Sequence, residues 1–238
     1  MTDTTAFFTL HRDLPREGPG EAADVVWAVA QAALPPKPDI ADVACGPGGD
    51  IAALRAAAPS GHVTALDKTA HFVDAARAQF ASDPNVTVLR ADMGAIANQY
   101  DMIWCAGAVY FLGVTEALTR WRKSLRPGGV VAFSEPCYFT DTPSEAARAL
   151  WSDYPAMGTE ADIAARVTTA GYDVLATRRL APAAWEAYYT PLQARIAQLR
   201  PGADAALVQV LDKTEAEIAN WRAHGDAYGY LLTVARPT

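Results

Sequence analysis

Nothing in this sequence is long and apolar enough to cross a bilayer. A helical span needs about 20 consecutive apolar residues, and the apolar runs here are broken by charge or glycine well before that. The opening stretch, "MTDTTAFFTLHRD", has no basic segment followed by a long apolar one, so it does not read as a secretory signal. Cysteine is scarce: Cys45, Cys105 and Cys137 are the only three, an odd number spread far apart. That spacing argues against a zinc site and against a disulfide framework. Buried, reduced thiols in a reducing cytoplasm are the expectation. Clustered positive charge is also missing. The formal charge is −7 and the longest basic run is "RWRK", Arg120 to Lys123. A nucleic-acid partner is disfavoured, because phosphate binding leans on grouped lysine and arginine.

What is present is a composition, 51% apolar and 20% charged over 238 residues, that suits one globular core. From about residue 37 onward, strand-like and helix-like runs alternate. "DIADVAC", "HVTAL", "VTVLRAD", "QYDMIWCAG" and "VVAFSEP" read as strands, with helical runs between most of them. This alternation predicts a parallel sheet built from βαβ units. Thr69 is expected to cap the helix "TAHFVDAARAQFA". Thr142 with Glu145, and Thr159 with Asp162, have capping-box spacing, and Gly171 is placed to stop a helix. "YDVLATRRL" reads as a sixth strand and "YGYLLTVAR" as a last one. Between them, residues 182–226 lack strand character and read as a helical insertion: "TPLQARIAQLR" places Leu192, Ile196 and Leu199 on one helical face, and a following run places Leu207, Val210, Leu211, Ile218 and Trp221 on another. The expected organisation is a single domain: an N-terminal segment over 1–36, a core over 37–135, and a helical insertion over 182–226. The insertion face reads as core against its neighbour helix or as a homodimer surface.

The chemistry concentrates at three predicted strand ends. After the first, "DVACGPGG" places Asp42 four residues before Gly46, with Gly48 and Gly49 following. A dinucleotide fingerprint would need a third glycine or alanine where Ile51 stands, and no Walker lysine is present. Asp67 ends the second strand in "TALDK" and Asp92 ends the third in "LRADM". Strand C-termini of a doubly wound sheet share one ligand-binding edge. The glycines permit close approach of a ligand. The second acid suits a ribose diol, because a carboxylate accepts two hydrogen bonds, and the third suits an exocyclic adenine amine.

At these residues the chain resembles the class I S-adenosylmethionine-dependent methyltransferases. Asp42, Ala44, Gly46 and Gly48 meet the family's first motif, although glycine is commoner at the place of Ala44. Asp67 and Asp92 match its second and third acids, with Met93 beside Asp92. "CAGAVYFLG" stands where the family has its cofactor-and-substrate loop. "LHRDLPREGPG" resembles an N-terminal motif of a bacterial subgroup acting on small molecules. The resemblance implies a Rossmann-like, doubly wound α/β sheet of seven mostly parallel strands, the last antiparallel between strands five and six. It implies S-adenosylmethionine as cofactor and S-adenosylhomocysteine as product, bound at Asp42, Ala44, Gly46, Gly48, Asp67, Lys68, Asp92, Met93 and Ala106. Arg16, framed by Pro15 and Gly18-Pro19-Gly20, adds a grip on the cofactor carboxylate, or is an exposed arginine. Asp42 binds cofactor, caps amides of the glycine turn, or does both.

In-line methyl transfer needs a base only when the acceptor arrives protonated, so the pattern names no obligatory catalytic residue. His11, Tyr110 and Glu135 are the candidates, each with a structural alternative: capping, surface or packing for His11, core packing for Tyr110, support for Glu135. No Asn/Asp-Pro-Pro-aromatic motif follows strand four, and no acid stands between Asp101 and Glu116. A small-molecule acceptor without metal, nucleic acid or membrane is the expectation. The rivals are a non-catalytic binder of the same cofactor and a nicotinamide-dependent oxidoreductase.

Overall fold

The computed structural model describes residues 3–149 and 151–238. Seven strands form one sheet: β1 (Asp39–Val43), β2 (His62–Asp67), β3 (Val86–Arg90), β4 (Tyr100–Cys105), β5 (Leu125–Tyr138), β6 (Tyr172–Arg179) and β7 (Tyr228–Pro237). Their spatial order is β3-β2-β1-β4-β5-β7-β6. β1 to β5 pair in parallel, and β7 lies antiparallel to both β5 and β6. The interior strands are buried on both faces, which is why β1 and β4 read as near-continuous apolar runs. The edge strands β3 and β6 instead alternate between more and less exposed residues.

The chain reverses direction outside the strand ends β1 and β4, so a ligand crevice belongs at their C-terminal edge. Helices α1 (Asp3–Leu10), α2 (Ala22–Ala32), α3 (Ile51–Ala57) and α4 (Ala70–Gln79) precede β3, and α5 (Val114–Trp121) follows β4. Then come α6 (Glu145–Ala149) and α7 (Glu160–Thr169). The insertion holds α8 (Pro182–Leu199) and α9 (Ala205–His224). α9 packs on α1 more extensively than on α8, so the N-terminal segment and the insertion form a joint cover. Trp185 of α8 and Trp221 of α9 stack with centroids 5.0 Å apart, and Leu207, Leu211 and Ile218 are buried in the same core.

Several local expectations are met by specific bonds. Thr159 Oγ1 accepts the Asp162 amide while the Asp162 carboxylate accepts the Thr159 amide, and Gly171 follows α7 at φ 79°. Others are corrected. The cap of α6 is Ser144, whose Oγ accepts the Ala147 amide at 3.2 Å, not Thr142. Thr69 stands at the α4 N-cap but makes no side-chain cap bond. β5 starts at Leu125, so "RPGG" is strand, with a register shift opposite Tyr100. α8 starts at Pro182 and runs through Pro191, where periodicity alone marks only its second half.

Candidate cofactor and acceptor site

The glycine turn between β1 and α3 is built from left-handed backbone. Gly46 has φ 55° and Gly48 φ 99°, and Ala44 has φ 59°. A Cβ on Gly48 would lie 3.1 Å from Ile51 Cδ1 and 3.2 Å from the Phe80 ring. The residue standing at the third dinucleotide position thus closes the helix onto the turn. A left-handed alanine costs roughly 1–2 kcal/mol, against about 0.5–1 kcal/mol for the extra backbone entropy of glycine. Ala44→Gly is therefore expected to raise stability by up to about 1 kcal/mol, a gain of about 2–4 °C in thermal midpoint. A lowered midpoint would contradict strain at this position.

The acid that fastens the turn is Asp67. Its Oδ2 accepts the Gly46 amide at 3.0 Å and its Oδ1 accepts the Thr69 amide at 2.7 Å. Asp42 is 2% exposed, and its Oδ2 is buried with no hydrogen-bond partner among the described residues. Burial pushes its carboxyl well above the ordinary range, helped by the nearby charges of Asp50 and Asp67. Asp92 lies in the exposed loop after β3, where its Oδ1 accepts the Gly94 amide at 2.7 Å. The Met93 carbonyl beside it accepts the Trp121 indole N–H at 2.7 Å. Lys68 extends from β2 to within 5.7 Å of the Phe111 ring, in the short 3₁₀ turn Val109–Phe111 after β4. Ala106 is half-buried, and the next amide, Gly107, donates to Ser134 Oγ at 2.7 Å, which ties this loop to β5.

Arg16 does sit at the glycine turn, but in an engaged state. Its Nε donates to the Gly18 carbonyl at 2.5 Å and its Nη2 donates to Asp50 Oδ1 at 3.2 Å. Asp50 in turn accepts the Trp104 indole N–H at 3.0 Å. His11 is neither a cap nor on the surface: it is 5% exposed, stacks on Phe7 at 4.0 Å and pairs with Glu17 at 2.7 Å. Glu17 was not singled out from the sequence, yet its Cγ lies 3.4 Å from where a Cβ on Gly46 would be. Its Oε1 is buried without a partner.

Glu135 is fully buried near the end of β5. Its Oε1 accepts the Tyr154 hydroxyl at 2.6 Å, Arg166 stands 3.8 Å away, and Oε2 has no partner among the described residues. Desolvation pushes its pKa up to about 7, against the opposing pull of the Tyr154 bond and Arg166. Tyr110 stands 5.7 Å from Tyr154, ring to ring, and its own hydroxyl is pushed up by burial and by the Glu135 charge. Among the described residues, no three His, Cys, Asp or Glu side chains come together as a metal site. Nor is any described helix long and apolar enough to cross a membrane.

The comparisons bear on this geometry in two ways. A family described as "Methyltransferase domain" matches residues 40–129, from β1 to the start of β5. An S-adenosylmethionine-dependent methyltransferase from Geobacter sulfurreducens, solved with S-adenosylhomocysteine, superimposes with TM-score 0.83 over 98% of both chains at 19% identity. The fold is that of the class I methyltransferases. A trans-aconitate 2-methyltransferase of Streptomyces avermitilis is 30% identical over 167 residues, 64% of this chain and 61% of that enzyme. Across the curated relatives that match, the chain spans between 29% and 61% of the relative's own length. The methyltransferase fold is not confined to proteins named for methyl transfer. The cyclase SpnF shares it with TM-score 0.71 at 14% identity, over 98% of this chain and 92% of its own.

Proposed function

We propose that this protein is an S-adenosylmethionine-dependent methyltransferase acting on a small molecule. The observation that carries the reading is the buried, unpartnered Oδ2 of Asp42 beside a glycine turn that Asp67 holds open. A buried carboxylate oxygen without a donor costs roughly 1–3 kcal/mol or more. A ligand ammonium in the crevice would remove that cost. S-adenosylmethionine brings such an ammonium, together with a methyl group already activated on a sulfonium.

The remaining roles follow from position. Asp67 keeps a free lone pair on each oxygen for a ribose diol, and Asp92 Oδ2 is available to an adenine amine. Ala44, Gly46, Gly48, Lys68, Met93 and Ala106 surround the same edge. Arg16 supports the turn through Asp50 rather than reaching out of it. Glu135 is the base for an acceptor that arrives protonated, since Oε2 is uncommitted and its affinity for a proton is matched to neutral pH. Tyr110 lines the acceptor side, and His11 positions Glu17. The acidic surface and the missing amino-methyltransferase motif favour a small acceptor over nucleic acid.

Thermal unfolding with S-adenosylhomocysteine, S-adenosylmethionine and NAD added separately tests the reading. A ligand at about 100 times its Kd stabilises by roughly 2.7 kcal/mol, a shift of several degrees at about 2–4 °C per kcal/mol. The sulfur cofactors should shift the midpoint and NAD should not. No shift with either sulfur ligand at millimolar concentration sinks the proposal. Binding without incorporation of labelled methyl into any acceptor would favour a non-catalytic role.

A further inference from the structure

We propose that Glu17 binds the ammonium at the amino-acid end of the cofactor, from an N-terminal strap folded over the glycine turn. This rests on the methyltransferase reading above and adds a binding residue outside the region, residues 40–129, that the family model matches.

The strap lies directly on the turn. A Cβ on Gly49 would meet Arg16 Cβ at 2.9 Å and the Pro15 carbonyl oxygen at 3.1 Å. The strap alone therefore accounts for glycine at this position. A Cβ on Gly46 would lie 3.4 Å from Glu17 Cγ and 3.7 Å from Glu17 Cβ. Two bonds hold the strap down. Arg16 reaches Asp50, the N-cap residue of α3, at 3.2 Å, and the Gly20 amide donates to the Ala184 carbonyl of α8 at 3.0 Å. Gly46 is also the residue whose amide Asp67 accepts at 3.0 Å. One glycine thus joins the strap glutamate to the acid that serves the cofactor ribose on the proposed reading.

Glu17 has one oxygen engaged and one idle. Oε2 is bonded to His11 Nδ1 at 2.7 Å, and His11 is fixed by its stack on Phe7, 4.0 Å ring to ring. Oε1 is buried with no hydrogen-bond partner among the described residues. A second idle carboxylate oxygen, Asp42 Oδ2, is buried just before the same turn, on a residue 2% exposed. Two orphaned acceptors at one turn call for a ligand group with several N–H donors, and an ammonium has three. The acids divide the work. Burial and the charges of Asp50 and Asp67 push the Asp42 carboxyl well above the ordinary range, so its ionised form is costly and it serves as an acceptor. Burial also raises Glu17, but the His11 bond and charge draw it back toward ionisation, so Glu17 supplies the charge. A cation at Oε1 then offsets what burial costs that carboxylate.

The test is calorimetric titration of the full chain at neutral pH with S-adenosylhomocysteine and with its deaminated analogue, which keeps the adenosine, the thioether and the carboxylate and lacks only the ammonium. The native protein should bind S-adenosylhomocysteine at least about tenfold tighter than the analogue. A smaller preference overturns the proposal without any variant. Glu17→Gln keeps the size of the side chain and removes its charge. It should weaken S-adenosylhomocysteine at least about tenfold and leave the analogue within about twofold of its native affinity, or tighter, since a like charge is gone. Equal weakening of both ligands overturns the proposal, because Glu17 then acts only on the shape of the turn. So does a loss of S-adenosylhomocysteine affinity smaller than about tenfold. Failure of both ligands to bind the native protein is a different result: it sinks the methyltransferase reading itself, and this proposal with it.

Discussion

Glu135→Gln is expected to make the protein more stable and a slower enzyme at once. Glu135 is fully buried and its pKa is pushed up to about 7 by desolvation. The unfolded chain releases that proton near the ordinary glutamate value of about 4.3. Below this value both states hold the proton and the carboxyl carries no penalty. Between it and about pH 7 the unfolded state binds fewer protons than the folded one, so stability falls as pH rises. Above about 7 the full cost of a buried charge is present, on the order of 3–4 kcal/mol. The glutamine amide oxygen still accepts the Tyr154 hydroxyl, now bonded to Oε1, and it carries no charge to desolvate. The groups that face Glu135 are Tyr154, Tyr110, Tyr230, Cys105 and Arg166; the thiol and the phenols stay protonated through this window.

The variant should therefore gain on the native protein by about 3–4 kcal/mol at pH 8 and by under about 1 kcal/mol at pH 4.5. Glu17, Asp24, Asp42 and Glu217 also have raised pKa values and add their own pH slope. That slope is common to both proteins, so the difference between their unfolding curves isolates Glu135. Activity should move the other way. Loss of a positioned base lowers turnover by about 10²–10⁴-fold, and the rise of kcat/KM through about pH 7 should disappear. A variant with the native pH profile would leave Glu135 a supporting residue for Tyr154.

The legible part of the site is the part set by local backbone. Asp42, Asp67 and Asp92 stand at strand ends, and the glycines between Asp42 and Ile51 fit only a tight turn, so their convergence follows from alternating strands and helices. The capping box at Thr159 was readable for the same reason, being closed within four residues. Where two neighbours compete for one cap, as Thr142 and Ser144 do, sequence spacing does not choose, and the bond to Ala147 decides. Long-range partners left no mark. Arg16 meets Asp50 across 34 residues and Trp104 meets it across 54, so the partners that hold this arginine at the turn are not in its own segment. Glu17 reaches the Gly46 turn from the N-terminal segment, and Glu217 of α9 meets Tyr189 of α8 across 28 residues. Their one local signal is charge within otherwise apolar or turn-forming segments, which also describes ordinary surface residues.

The second large effect is expected at Asp67, because on the proposed reading one carboxylate serves both the fold and the ligand. Removing it by Asp67→Ala leaves the buried Gly46 amide and the Thr69 amide without their acceptor. Hydrogen bonds to a charged group contribute about 1.5–3 kcal/mol each. Thr69 is half-buried and recovers part of its loss from water, so the expected cost is about 2–4 kcal/mol, or roughly 4–16 °C in midpoint for a chain of this size. Affinity for S-adenosylhomocysteine should fall at least about 100-fold, the equivalent of about 2.7 kcal/mol, since the ribose contacts and the shape of the turn are lost together. Asp92→Ala is the control. Asp92 is exposed and holds only the Gly94 amide, so its removal should leave the midpoint almost unchanged and weaken the same ligand about tenfold. The ratio between the two variants separates support from contact. If Asp67→Ala destabilises the protein but leaves the affinity of the folded fraction within about threefold, the carboxylate only fastens the turn. A loss of both, with loss of affinity alone at Asp92, places both acids on the ligand.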